Sequence, residues 1–434
     1  MKPSTFNYII PTEDKTIIYN GISEKFFFVS NENIDRIKTI LDNPDLHIDT
    51  FQAFIEKMKN EGFILDNETD ENKNLKEKYL SKRSAKSYQL MILPTYQCNL
   101  RCWYCTQRHS EMWMSEETVK RIKKNILRAI ESSGIDSLTI NWFGGEPLLA
   151  YDIILDINSY ALELCEKSGI GFFSDITTNG TLLNETRIAE LYRKGIKRYQ
   201  ITIDGIKSEH DNIKKLNNCS AYERTLRNVS EIAKHAQCVL RFNYTHKNLK
   251  PTEIVSELDN RLPAEIRKNI IFSVHQVWQE NRAKIDYSKV KSLYLEAQNA
   301  NLTPKPALND MCYADNKYFF CIFPNGKVGK CDNSDPNEVP GEILEDGSIY
   351  WPENLNYDIP AFEHPDAECK TCRYIPVCWG PCAPKRKDML QKFNKIKCLF
   401  GDKDTTMRGN IINRIISFHS MSGIPIPDKL QVTT

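Results

Sequence analysis

The chain has 434 residues, and its 58 Lys and Arg balance 57 Asp and Glu to a net charge of +1. That balance removes the electrostatic case for a nucleic-acid or anionic-membrane binder, and no stretch approaches the apolar length of a membrane span. The N-terminal run Met1-Lys2-Pro3-Ser4-Thr5-Phe6 lacks an apolar signal core, so a soluble, cytoplasmic protein of two or three domains is expected.

Residues 6–11, 16–21 and 25–30 are short β-branched and aromatic runs broken by turn residues, which predict a small antiparallel sheet. Helical periodicity follows at 33–42 and 48–61, with Gly62 placed as a C-cap and 63–65 as a short strand. Residues 1–66 thus read as a β-rich winged-helix module. Residues 67–87 are polar and charged and read as a linker with some helix in it.

Strand and helix then alternate. Strands are predicted at 88–93, 138–143, 172–177, 199–203, 238–244 and 270–277, with helices near 115–133, 150–168, 184–194, 221–235 and 251–259. Ser115 before Glu116 and Glu117 is a good helix start. Repeated βα units predict a parallel sheet with helices outside it, hence an α/β fold.

Between the first strand and the first helix of this series stands Cys98-Asn99-Leu100-Arg101-Cys102-Trp103-Tyr104-Cys105. Three thiolates at this spacing can hold three corners of a [4Fe–4S] cluster, which ordinarily takes four cysteines. Zinc cysteines usually come as two pairs, and the next cysteine here is the isolated Cys165. The run resembles the C-x3-C-x-aromatic-C signature of the radical S-adenosylmethionine (SAM) enzymes. That resemblance implies a partial (β/α)6 barrel over 88–305, with the cluster at its C-terminal mouth and SAM on the open iron.

The same resemblance implies SAM contacts from Tyr104 and from Gly144, Gly145 and Glu146 of Phe143-Gly144-Gly145-Glu146-Pro147. It extends to Asn179 after the third strand and to Thr202 and Asp204 around the fourth. Arg241 on the fifth strand could pair with the SAM carboxylate or simply flank the core. His210-Asp211 also resembles a family segment in which an arginine often follows. Lys214 and Lys215 stand in that region, which puts a carboxylate-binding role there in doubt. His109 reads as a surface or packing residue.

Eight further cysteines lie between 312 and 398. Cys312, Gly326, Cys331, Cys369, Cys372, Cys378, Cys382 and Cys398 match the pattern of the SPASM domain, the auxiliary-cluster extension of radical SAM peptide maturases. That resemblance implies an iron–sulfur domain over 306–400. One cluster would be held by Cys312, Cys331 and Cys382, the other by Cys369, Cys372, Cys378 and Cys398. Cys321 is the candidate fourth ligand of the first, or else a buried core thiol. Cys165, Cys219 and Cys238 read as structural. Residues 401–434 start as a helix and end in a Pro-containing tail.

The reading that results is an enzyme with three [4Fe–4S] clusters and SAM. It would abstract hydrogen from a residue of a ribosomal peptide to form a thioether or carbon–carbon crosslink. Its partners would be a precursor peptide, whose leader segment the 1–66 module binds, and a reductant such as ferredoxin or flavodoxin. Asp332, beside Cys331, is the candidate proton acceptor, and it keeps alive a second reading as an anaerobic sulfatase-maturing enzyme. A non-enzymatic iron–sulfur electron carrier is the third reading, and it would need neither the Gly-Gly-Glu-Pro turn nor the cysteine triad.

Overall fold

The computed structural model describes residues 1–422 and 424, apart from 108, 133, 309, 353–356 and 358. Every predicted site residue is among them, whereas the Pro-containing tail lies outside the described residues.

The N-terminal strands are β1 (Lys2–Pro3), β2 (Asn7–Pro11), β3 (Lys15–Asn20) and β4 (Phe26–Ser30), with β2, β3 and β4 forming an antiparallel sheet in that order. Helices α1 (Ile34–Asp42) and α2 (Ile48–Asn60) bury Ile40, Leu41, Ile55 and Met58 in one cluster with Ile18, Val29 and Phe63. Gly62 (φ +82°) ends α2 in the left-handed region, where a side chain would be strained. The chain then returns through β5 (Ile64–Leu65) to pair with β1.

The stretch read as a linker contains a 13-residue helix, α3 (Glu71–Arg83), capped by the Asp70 carboxylate on the amides of Asn72 and Lys73. Its buried residues are Leu75 and Tyr79, one turn apart on an otherwise polar helix. Both ends of α3 are tied. Glu71 accepts hydrogen bonds from the Ser4 and Thr5 hydroxyls, and Tyr79 packs edge-on against Phe362.

Seven parallel strands follow in sequence order: β6 (Ser87–Ile92), β7 (Ser137–Trp142), β8 (Gly171–Thr178), β9 (Ile196–Ile203), β10 (Gln237–Tyr244), β11 (Ile270–Gln276) and β12 (Thr303–Pro306). The connecting helices are α4 (Glu116–Ser132), α5 (Tyr151–Ser168), α6 (Glu185–Arg193), α7 (Lys207–Ile213), α8 (Ala221–Ala233), α9 (Pro251–Arg261) and α10 (Tyr287–Asn299). Ser115 starts α4 as expected, its hydroxyl accepting from the Thr118 amide. Right-handed crossovers between neighbouring parallel strands place these helices on one face. That face is apolar: Leu138, Ile140 and Trp142 of β7 are fully buried in one core with Ile122 of α4 and Ile154 of α5. The alternate residues of each strand point to the opposite, inner face.

The sheet extends beyond the six expected strands at both edges. β12 adds to β11, and β13 (Phe319–Ile322) pairs in parallel with β6, Cys321 opposite Met91. β14 (Lys327–Gly329), β15 (Gly341–Ile343) and β16 (Ile349–Tyr350) continue the same sheet in antiparallel fashion. The sheet does not close: β12 and β16 are its two edges. The fold is α/β with a partial barrel. Among the described residues, no helix is long and apolar enough to cross a membrane.

Three more helices follow: the short α11 (Ile375–Cys378), α12 (Ala383–Phe393) and the long α13 (Lys403–Met421). α13 joins three regions. Asn413 donates to the Ala307 carbonyl just past β12, Arg414 donates to the Val377 carbonyl of α11, and Phe418 meets Phe26 of β4 edge-on at 5.4 Å. The N-terminal module also docks directly on the cysteine-rich region. Tyr8 stacks on Tyr374 (5.3 Å, 10° between planes) and donates its hydroxyl to the Arg373 carbonyl at 2.5 Å.

That docking predicts the behaviour of Tyr8 variants. Tyr8→Ala should cost about 3–5 kcal/mol, as a buried aromatic truncation does, whereas Tyr8→Phe should lose about 1 kcal/mol for one hydrogen bond. Thermal melts with limited proteolysis check this, and a wild-type melt for Tyr8→Ala would refute the docking.

Candidate active site

The cysteine loop is residues 93–115, between β6 and α4. It is closed at its base, because Tyr96 donates to the Met112 carbonyl, Met114 donates to Pro94, and Thr95 bridges Trp113. The closure holds Cys98 and Cys102 half-buried and leaves Cys105 exposed. Burial pushes the Cys98 and Cys102 thiols up to about 11, with Cys105 raising Cys98 further and Cys98 and Cys105 raising Cys102, and burial also raises Cys105. Three partly desolvated thiols in one loop form a donor set suited to a cationic iron–sulfur centre. His109 is half-buried, its Nε2 3.4 Å from the Sγ of the exposed Cys105.

The turn after β7 is pressed against this loop. The Gly145 amide donates to the Thr95 carbonyl at 3.1 Å and the Glu146 amide to Gln97 at 2.7 Å. A Cβ on Gly145 would stand 2.1 Å from the Gln97 oxygen, and one on Gly144 (φ +123°) 2.5 Å from the Thr95 oxygen. Only glycine permits that approach. Glu146 is fully buried, which raises its carboxyl, and it accepts from the Thr178 hydroxyl and the amides of Asn179 and Leu148. Asn179 in turn donates to Asn99 Oδ1 at 2.8 Å inside the cysteine loop, and Asn99 donates to the Thr181 hydroxyl. The ends of β6, β7 and β8 are thereby locked together.

A second cluster sits at the ends of β9 and β10. Tyr104 donates its hydroxyl to Asp204 at 2.5 Å and accepts from Asn243. Asp204 is fully buried and paired with Lys214 (3.0 Å), whose ammonium also donates to the carbonyl and hydroxyl of Thr202. His210 stays neutral beside them. Burial, then Lys214, holds its imidazole down to about 3, and its Nδ1 accepts from the Asp204 amide. Arg241 donates to Asn243 and reaches into the same space. The resemblance read in the sequence pointed to Tyr104, Thr202, Asp204 and Arg241. It missed Lys214 as a buried partner and Asn243 altogether. The signal for Lys214 is its place three residues after His210-Asp211, where the family segment often has arginine.

Asp332 belongs to this neighbourhood. Its carbonyl accepts from Gln107 of the cysteine loop, and its carboxylate, raised by burial, accepts from the Tyr313 hydroxyl and is opposed by Arg241. Cys331 is pushed up to about 11 by burial and by Asp332, and it lies near enough to Cys382 to be raised by it as well. Cys312 donates to Cys382 in a shared hydrogen bond that raises the first thiol and holds the second down to about 7. Cys369, Cys372, Cys378 and Cys398 all line one pocket of about 420 Å³, the volume including open solvent. Four thiols around one void fit a fully ligated cluster. Cys321 is fully buried in an apolar cluster with Leu93, Tyr96, Phe319 and Phe323. Cys165 and Cys238 are buried and Cys219 is exposed.

Residues 92–273 match the Radical SAM superfamily model. The chain is 28% identical over 139 residues to GTP 3',8-cyclase 1 of Mycobacterium tuberculosis, covering 32% of this chain and 37% of that protein. It is 32% identical over 133 residues to the GTP 3',8-cyclase of Clostridium botulinum, covering 30% and 39%. The chain therefore spans about two fifths of the length of these curated relatives. Among solved structures it is similar to native anSMEcpe with bound AdoMet and Cp18Cys peptide (TM-score 0.53, 16% identity, 77% of this chain and 99% of that one). Streptococcus suis SuiB bound to precursor peptide SuiA is also similar (TM-score 0.50, 17% identity, 92% and 99%). At these identities the structures show a shared fold. Over residues 92–273 the sequence is similar to the domain that this superfamily shares.

Two substitutions test the geometry. Gly145→Ala should cost about 1–3 kcal/mol of overpacking and lower the iron retained by the cysteine loop, read by melting and iron assay. Lys214→Met should cost about 3–5 kcal/mol by stranding the buried Asp204 carboxylate. Lys214→Met with Asp204→Asn should recover much of that loss, and additive losses would show that the pair is not coupled.

Proposed function

We propose that this chain is a radical SAM maturase that modifies a residue of a ribosomally made peptide, forming a thioether or carbon–carbon crosslink. The observation that carries it is the convergence of Cys98, Cys102 and Cys105 with the 144–146 turn, Asn179 and the Tyr104–Asp204–Lys214 group at one end of the sheet. Together, a cluster held by those three cysteines and SAM would supply one-electron cleavage to a 5′-deoxyadenosyl radical, which takes hydrogen from an unactivated carbon.

The residues have distinct parts in this reading. Glu146, Thr202 and Asp204 already spend their side chains on Asn179, Lys214 and Tyr104, so they act on SAM by fixing the turns around it. Arg241, which donates to the neutral side chain of Asn243, is the group for the SAM carboxylate. Asp332 takes the proton released as the substrate is oxidised, with Tyr313 and Arg241 holding it in place.

Two auxiliary [4Fe–4S] clusters complete the proposal. Cys369, Cys372, Cys378 and Cys398 hold one, and Cys312, Cys331 and Cys382 hold the other. Cys321 packs as a core thiol, which leaves the latter with a position for a substrate thiolate. The peptides bound in the similar structures support a peptide substrate here, and the 1–66 module would take its leader as a strand added to a sheet edge. A ferredoxin- or flavodoxin-type reductant would deliver the electron.

Anaerobically reconstituted protein should hold about twelve irons per chain, four for each of three cubanes, and form 5′-deoxyadenosine from SAM under dithionite. Replacing Cys98, Cys102 and Cys105 by Ala should abolish that product and leave about eight irons. Asp332→Asn should keep 5′-deoxyadenosine formation while peptide product is lost. Wild-type protein that binds zinc and cleaves no SAM would overturn the reading.

A further inference from the structure

The inner face of the sheet, which the helices do not cover, is polar, and its charges are unevenly placed. In register across adjacent strands stand Thr202, Arg241, Ser273 and Lys305. The two cations are two strands apart, roughly 9.6 Å between backbones. Among the described residues neither has a carboxylate within ion-pair distance. Asp332 opposes Arg241 from farther away and is itself occupied by Tyr313. Lys305 faces another cation, Arg198, which with burial lowers its affinity for a proton. His275 adds no charge: burial, Arg241 and Lys305 hold it down to about 3, and its Nε2 lies 2.9 Å from the Ser273 hydroxyl.

The remaining carboxylate on this face, Asp175, stands opposite Arg198 at the other end of the strands, where Arg198 is the charge that opposes its burial. A half-buried cation flanked by cations and a neutral imidazole is electrostatically incomplete, since partly dry charges are ordinarily paired. An anion supplied by a ligand completes it.

We infer that Lys305, with Ser273 and His275 beside it, binds a carboxylate of the substrate, an aspartate or glutamate side chain at or next to the residue that is modified. This rests on the peptide-maturase reading, in which Arg241 serves SAM. Lys305 is half-buried on the edge strand β12, which α13 packs against, so a peptide would reach it along the inner face of the sheet. Anionic recognition here would set which peptide residue is presented.

The test is selection of a random 12-residue peptide library on the full-length, cluster-loaded protein, its Lys305→Met variant and its Lys305→Arg variant. Iron content and thermal midpoint verify that each is folded. Wild-type protein should enrich Asp or Glu at one fixed position at least fivefold over Lys305→Met, and Lys305→Arg should keep the preference. No acidic preference in the wild type, or an equal preference in Lys305→Met, overturns the inference. GTP serves as the other anion source. If GTP binds the wild type, loses affinity in Lys305→Met, and no acidic peptide preference exists, the anion is a phosphate and the peptide assignment fails. Failure of the wild type to cleave SAM is a separate result, which strikes the enzymatic reading and leaves the peptide preference to stand or fall by itself.

Discussion

Everything at the top of the sheet depends on how closely the turn at 144–146 lies against residues 95–97. Two backbone hydrogen bonds span that contact, and neither could form if residue 145 carried a β-carbon. The cysteine loop is long and closed at its base, and this contact, with the Asn99–Asn179 and Tyr104–Asp204 bonds and Gln107 on the Asp332 carbonyl, fixes the upper half where the thiols stand. Glu146 then carries the constraint one strand further by spending its carboxylate on the next turn. The motif's acidic residue is thus a brace as well as a neighbour of any bound cofactor.

The second organising feature is a buried charge group whose members are individually costly. Asp204 without Lys214 would be a buried carboxylate with only the Tyr104 hydroxyl against its charge, and Lys214 without Asp204 and Thr202 a bare ammonium. His210 does not help as a cation, because burial and Lys214 keep it neutral, and it contributes an acceptor for the Asp204 amide instead. This arrangement fixes Tyr104 within the cysteine loop through its hydroxyl.

Much of the site was legible in the sequence because the relevant residues are spaced within single turns or follow directly on strands. Cys98 to Cys105, Gly144 to Pro147 and the Thr-Asn and Asp-Gly ends of two strands announce themselves locally. What was not legible depends on pairing between distant segments. Lys214 stands in a segment whose role the sequence leaves open until the β9–α7 turn folds it against Thr202. Cys321 reads as either a ligand or a core thiol, and the pairing of Phe319–Ile322 with β6 is what buries it in an apolar cluster. α3 was obscured for another reason: two buried side chains on thirteen residues leave almost no periodic signal.

The helix α13 has a consequence for the order in which the molecule is made. It is made after every described strand, yet it touches β4 through Phe418 on Phe26, as well as β12 and α11. Domains generally fold as units during synthesis. The 1–66 module can therefore fold as soon as its own residues have emerged, but it gains its full set of contacts only once α13 has been made. Until then Phe26 keeps an aromatic face without its partner.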